Sequence, residues 1–165
     1  HTHGHNIETH TPAWHLAEAV KERAWIVSGS ERSCIEAVAD LIGIGRERVV
    51  ATELQEIDGI MSAAFEEPGI NWEANKVKSL DMRQIGAAYL CAGDSTGDWE
   101  LLQLATHWRW CVVEIGENGA AYKRIFRDRI LEELKISVDD LELGFYAFEN
   151  PNGMNTLLQV VNVHE

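Results

Sequence analysis

Three short apolar runs constrain what this chain can fold into. Each ends in small or polar residues, and a stretch with helical period follows. Ala24–Ser28 reads AWIVS, Ala87–Ala92 reads AAYLCA and Trp110–Ile115 reads WCVVEI. Continuous apolar runs of this length read as strands buried on both faces. The segment SERSCIEAVADLIGI follows the first run. Ser30 is placed to cap its helix, with Glu31 in the first turn and Ile35, Val38, Ala39 and Ile42 as the buried stripe. Gly43 marks its end. DWELLQLA follows the second run, and a charged helix over Tyr122–Lys135 follows the third. Alternation of this kind predicts an α/β fold, a parallel sheet with helices on both faces. Ligands of such sheets sit outside the carboxyl ends of the strands, so the residues after each run are where chemistry belongs.

The rest of the chain is read around that frame. A helix is expected from Pro12 to about Lys21, through Trp14, Leu16, Ala17 and Val20, with Thr11 as its cap. Arg48–Leu54 (RVVATEL) reads as a strand, and the stretch holding Asp58-Gly59 and Pro68-Gly69 reads as loop. Asn75–Met82 reads as a helix. Leu141–Phe148 and Thr156–Val163 read as two strands around the turn Asn150-Pro151-Asn152-Gly153.

The chain has 165 residues, which makes one domain the default. Its net charge of -13 argues against a general nucleic-acid or anionic-membrane surface, while one lysine beside a helix N-terminus still suffices for a small phosphorylated substrate. Cys34, Cys91 and Cys111 are odd in number and form no CxxC pair. Neither a disulfide framework nor a structural zinc site is expected. Three free thiols fit a reducing, cytoplasmic setting; an upstream signal peptide would place the chain in the periplasm or outside the cell.

Two strand ends and one helix start carry candidate chemistry. Ser28-Gly29-Ser30 offers a hydroxyl and backbone N–H groups at a helix start, either a phosphate cradle or a plain cap. Gly93-Asp94-Ser95-Thr96-Gly97-Asp98 sets two carboxylates around a tight turn. Magnesium takes hard oxygen ligands and needs one or two protein carboxylates, so this turn is a candidate metal site; the plainer reading makes both aspartates turn and cap residues. Lys76 opens a helix whose dipole it opposes, so a nearby phosphate would account for its position, as would a solvated surface.

In order, these three features resemble the haloacid dehalogenase superfamily, within it the phosphoserine-phosphatase-like branch. The resemblance runs from about Pro12 to Ile115. WIVSGS is similar to the family's second motif, NKVKSL to the third and LCAGDSTGDWELL to the fourth. The resemblance implies a three-layer Rossmann-like core and a Mg2+-dependent phosphomonoesterase. It implies phosphate contacts from Ser28, Gly29, Ser30 and Lys76, with Lys76 as charge stabiliser. Asp94 would be the metal ligand, and Asp98, the carboxylate beside it, a catalytic residue together with Lys76. RVVATEL with Asp58-Gly59 resembles the family's region between the second and third motifs.

The family's first motif, DxDxT, is missing: no DxD occurs anywhere in the chain. Its leading aspartate is the nucleophile, and its strand lies between those ending at Ser28 and Asp94. The expectation is therefore a core without its central first strand, incomplete or rearranged, and inactive by itself. An aspartyl-phosphate would form on a residue outside this chain. Another chain or an N-terminal segment would complete the sheet, because unpaired backbone in a core is costly. The expected divisions are 1–11 as an extension or the end of a cap, 12–136 as the core and 137–165 as a hairpin extension. The alternative is a non-catalytic phosphate-binding or interaction module. A haloacid dehalogenase proper needs no magnesium, and the GDSTGD turn speaks against it.

Two further features stand apart. His1, His3, His5 and His10 are either a metal cluster or a polar terminus without fixed geometry. Of the six tryptophans, Trp14, Trp25, Trp72, Trp99, Trp108 and Trp110, most fall in helix or strand patterns, while Trp72 lies in the loop before Lys76 and is the candidate substrate contact.

Overall fold

The computed structural model describes residues 11–113, 121–134, 144–149 and 157–162. The histidines at 1, 3, 5 and 10 and the turn at 150–153 lie outside them. The chain divides into two compact units, His1–Glu66 and Glu67–Glu165.

The first unit opens with α1 (Thr11–Val20), then β1 (Ile26–Glu31), α2 (Arg32–Ile42) and β2 (Val49–Thr52). β1 and β2 pair in parallel, with Ile26 opposite Val49 and Val27 opposite Val50. Ala39, Ile44, Val49 and Ala51 form the core between α2 and this pair, flanked by Ile26, Ile35 and Ile42. Three of the four expected stripe residues face that core. Val38 does not; it is exposed, because its position on the helix turns it away from the sheet. The cap also differs from expectation. The strand runs on to Glu31, and the Glu31 carboxylate, not Ser30, accepts the N–H groups of Ser33 (3.0 Å) and Cys34 (3.4 Å). Gly43 ends the helix at φ 75°, as its position predicts.

A hairpin follows where a loop was expected. β3 (Leu54–Ile57) and β4 (Ile60–Phe65) pair antiparallel through Asp58 and Gly59, both with positive φ. That is the backbone a two-residue primed turn requires, and Asp-Gly is its preferred sequence. RVVATEL is therefore split between β2 and β3, at Glu53.

The second unit holds α3 (Ala74–Met82), β5 (Ala88–Gly93), α4 (Trp99–Gln103), β6 (Ala105–Val113), α5 (Ala121–Leu134), β7 (Gly144–Glu149) and β8 (Leu157–Asn162). Its sheet has the order β5-β6-β7-β8. β5 and β6 are parallel, and β7 and β8 add antiparallel. The C-terminal hairpin thus continues the sheet beyond β6. β6 begins at Ala105, five residues before the apolar run, and the DWELLQLA helix is one 3-10 turn plus the short α4. Cys91, Leu102, Ala105, Cys111, Phe126 and Ile130 make the core under α4 and α5. Trp99 meets Phe126 edge-on at 6.4 Å within it.

The α/β class and the parallel strand–helix–strand units are those expected. Among the described residues β1 pairs only with β2 and β5 only with β6, so no strand takes the place of the absent first motif. No helix among them is long and apolar enough to cross a membrane.

Two predictions follow from this packing. Burial pushes the Cys91 thiol up to about 11, and Cys111 is fully buried, while Cys34 is exposed. The thiolate is the reactive form, so iodoacetamide at about pH 8 should label Cys34 alone in the folded chain and all three cysteines in urea. Native labelling of Cys91 would contradict the packing. The Ser33 contacts hold the Glu31 carboxyl below the ordinary glutamate value, and the Arg46 contact does the same for Asp40. Their stabilisation is present above the unfolded pKa and is lost as pH falls through the folded value. Urea midpoints should drop on acidification below about pH 4.5, less steeply in Glu31→Gln and Asp40→Asn than in the parent.

Candidate functional site

The turn after β5 is built around one carboxylate. Asp98 is buried, and its Oδ2 accepts the backbone N–H of Asp94 (3.1 Å), the N–H of Ser95 (3.2 Å) and the Ser95 hydroxyl (3.0 Å). Reaching back to Ser95 is the acidic half of a capping box, which starts the 3-10 turn Thr96–Asp98. Its Oδ1 takes the Lys76 ammonium in a direct ion pair. Gly93 makes the approach possible. A Cβ there would lie 2.4 Å from the Asp98 Cβ, so any side chain at 93 would expel the carboxylate.

Lys76 reaches this carboxylate from the first turn of α3. Its side chain is 5% exposed and that of Asp98 9%, so two opposite charges share a nearly dry site. Such a pair holds because each partner neutralises the other; removing one leaves a buried, uncompensated charge. The unfavourable place of Lys76 at a helix N-terminus is thereby explained by Asp98. Trp72 stands over the pair: the Lys76 Nζ lies 5.9 Å from its ring centroid.

The expected site residues are placed as follows. Lys76, Asp94 and Asp98 come together at the end of β5. Asp98 lies inside the turn with both oxygens engaged, whereas Asp94 is exposed at its surface. Ser28, Gly29 and Ser30 lie in the first unit, at the end of β1. There the Ser28 hydroxyl accepts the Ser30 N–H at 3.1 Å, and the Gly29 carbonyl accepts the Thr52 hydroxyl at 2.7 Å. Arg32, next to this segment, pairs with Glu36 and Glu53. Among the described residues no group of three or more His, Cys, Asp or Glu side chains is arranged to hold a metal. Magnesium does not require one, since phosphate and water complete its shell. Asp94, exposed at the turn, has the hard oxygen chemistry such a site takes, while Asp98 lies buried with Lys76 and Ser95 on its oxygens.

Residues that sequence reasoning missed are Gly93 and Gly97, whose missing side chains make room for Asp98 and Trp72. The signal was present, two glycines inside a turn flanked by aspartates, but their partners lie at distant positions. The buried pair gives a direct prediction. Lys76→Met should destabilise the chain by about 3–5 kcal/mol, and adding Asp98→Leu should recover much of that loss. Urea unfolding of the double-mutant cycle measures it; additive losses would mean the two charges do not interact.

The family model for haloacid dehalogenase-like hydrolases matches residues 8–103, well over half of the chain. The matched span includes β1, α3, β5 and the whole Gly93–Asp98 turn. A search of curated proteins and a search of solved structures each returned no match. By the family match, which takes in all three strand-end and helix-start motifs, the chain belongs to the haloacid dehalogenase-like hydrolases.

Proposed function

We propose that this chain supplies the phosphate-holding and metal-holding residues of a magnesium-dependent phosphomonoesterase. The observation that carries the reading is the buried Lys76–Asp98 pair at the carboxyl end of β5, next to the exposed Asp94. Lys76 is a fixed cation, so it binds phosphoryl oxygens and neutralises charge that develops on them. Asp98 keeps Lys76 in place and shapes the turn. Asp94 would provide one carboxylate for magnesium, which when bound would polarise the phosphoryl group. In the first unit, Ser28, Gly29 and Ser30 at the end of β1 are a separate candidate for phosphate contact, with the Ser30 N–H donated to the Ser28 hydroxyl.

The nucleophile is an aspartate outside these 165 residues, because no DxD stands within them. The same absence favours a second reading, a phosphate-binding module without catalysis. The two separate cleanly in the laboratory. Residues 1–165 alone should bind magnesium and orthophosphate without hydrolysing an aryl phosphate. In a protein that carries these residues together with a DxDxT aspartate, Asp94→Asn should slow hydrolysis at least about a hundredfold. Equal rates would remove Asp94 from the metal site, and turnover by residues 1–165 alone would refute an outside nucleophile.

A further inference from the structure

Trp72 is tied to the turn it faces by more than its neighbourhood to Lys76. A Cβ on Gly97 would stand 2.7 Å from both Cε2 and Cζ2 of the indole and 2.8 Å from Cδ2. Three ring atoms at nearly equal distance mean that the backbone of residue 97 lies against the ring face. A second tether runs alongside: the Glu73 N–H donates to the Gly97 carbonyl at 3.2 Å. The segment before α3 is thus fastened to the middle of the GDSTGD turn at two adjacent residues.

The backbone there is held in an uncommon shape. Glu73 has φ 50° and ψ -128°, and the Asn75 N–H donates to the Trp72 carbonyl at 3.0 Å. Those values describe a type II′ turn with Glu73 at the position that glycine normally fills. A non-glycine residue there costs on the order of 1–3 kcal/mol and persists only where the surroundings over-determine it. The Gly97 contacts are such surroundings. Lys76 stands in the first turn of α3, directly after this turn. The ammonium passes 5.9 Å from the ring centroid before reaching Asp98. A cation beside an indole face is held more firmly still.

We propose that Trp72 is a positioning residue: its seat on Gly97 sets where the Lys76 ammonium stands against the Gly93–Asp98 turn. It acts through Lys76. Its use to catalysis rests on the phosphomonoesterase reading, but the coupling itself does not. In a protein whose charged pair is nearly dry, a change at residue 72 reaches Asp98 by way of the lysine, and from there the amides of Asp94 and Ser95.

The test therefore has two arms on the whole 165-residue chain. The first records amide resonances of Asp94, Ser95 and Asp98 with no ligand. Trp72→Ala should shift them in the same direction as Lys76→Met, and Trp72→Phe should return them toward the parent. Unchanged resonances in Trp72→Ala, or no return with Phe, would overturn the proposal. If Trp72→Ala does not fold, Trp72→Leu, which keeps apolar bulk without a ring face, takes its place with the same criteria. The second arm titrates inorganic phosphate in the presence of magnesium. Trp72→Ala should bind phosphate about tenfold more weakly and Trp72→Phe close to the parent. Equal affinity in Trp72→Ala counts against the proposal. A parent chain that binds no phosphate would sink the phosphomonoesterase reading and leave the first arm to decide the coupling.

Discussion

One buried carboxylate fixes the turn that closes β5 in the second unit. Asp98 gives one oxygen to Lys76 and the other to the turn that follows β5. Neither charge would tolerate such burial by itself, since desolvation of a lone ion is far costlier than a hydrogen bond can offset. The pair in turn requires Gly93 to be bare, and α3 to begin where Lys76 can reach across. The Trp72 seat and the strained Glu73 are consistent with this demand, because both bring the start of α3 to the Gly97 backbone. Geometry at the end of β5 is thus set by electrostatics, and the sheet beneath supplies a platform for it.

Much of this was legible before any coordinate. Apolar runs mark β1, β5 and β6, yet these strands are not buried on both faces as such runs imply: β1 is half-buried apart from the exposed Ser30, and Tyr89 and Ala92 of β5 are exposed. Glycine at 43 and the acidic turn at 93–98 mark the ends of their elements by local chemistry alone. The hairpin β3–β4 escaped for the opposite reason. Ile57, Ile60, Met61 and Phe65 are all exposed, so its strands show neither alternation nor a buried run. Only Asp58-Gly59 signalled it, and a two-residue turn signal without flanking period reads as loop. Capping of α2 by Glu31 was missed because the preceding serine is the commoner cap, and the strand's extra length could not be foreseen from the apolar run.

The candidate site divides in the same way. Lys76, Asp94 and Asp98 were named from residue type and order, and all three meet at one turn. Their separate duties were not readable: which aspartate faces solvent and which faces the lysine depends on backbone path. Trp72 was singled out only for its place in the chain. Its partner, Gly97, is twenty-five positions away and has no side chain to announce a contact. Absence of DxD, by contrast, is a fact of sequence with a structural counterpart, since β1 and β5 are each paired on one side only among the described residues.

The hydrogen bonds inside the turn have a consequence for exchange with solvent. Asp94 lies at the surface, where a backbone N–H would ordinarily trade its hydrogen for deuterium within moments. Here that N–H points at the Asp98 carboxylate, as does the N–H of Ser95. Opening either bond exposes an oxygen of a carboxylate already committed to a buried lysine. Protection at these two amides is therefore tied to the free energy of a charge pair rather than to a strand or helix ladder. Deuterium uptake at a surface turn becomes a gauge of how firmly the interior ion pair is closed.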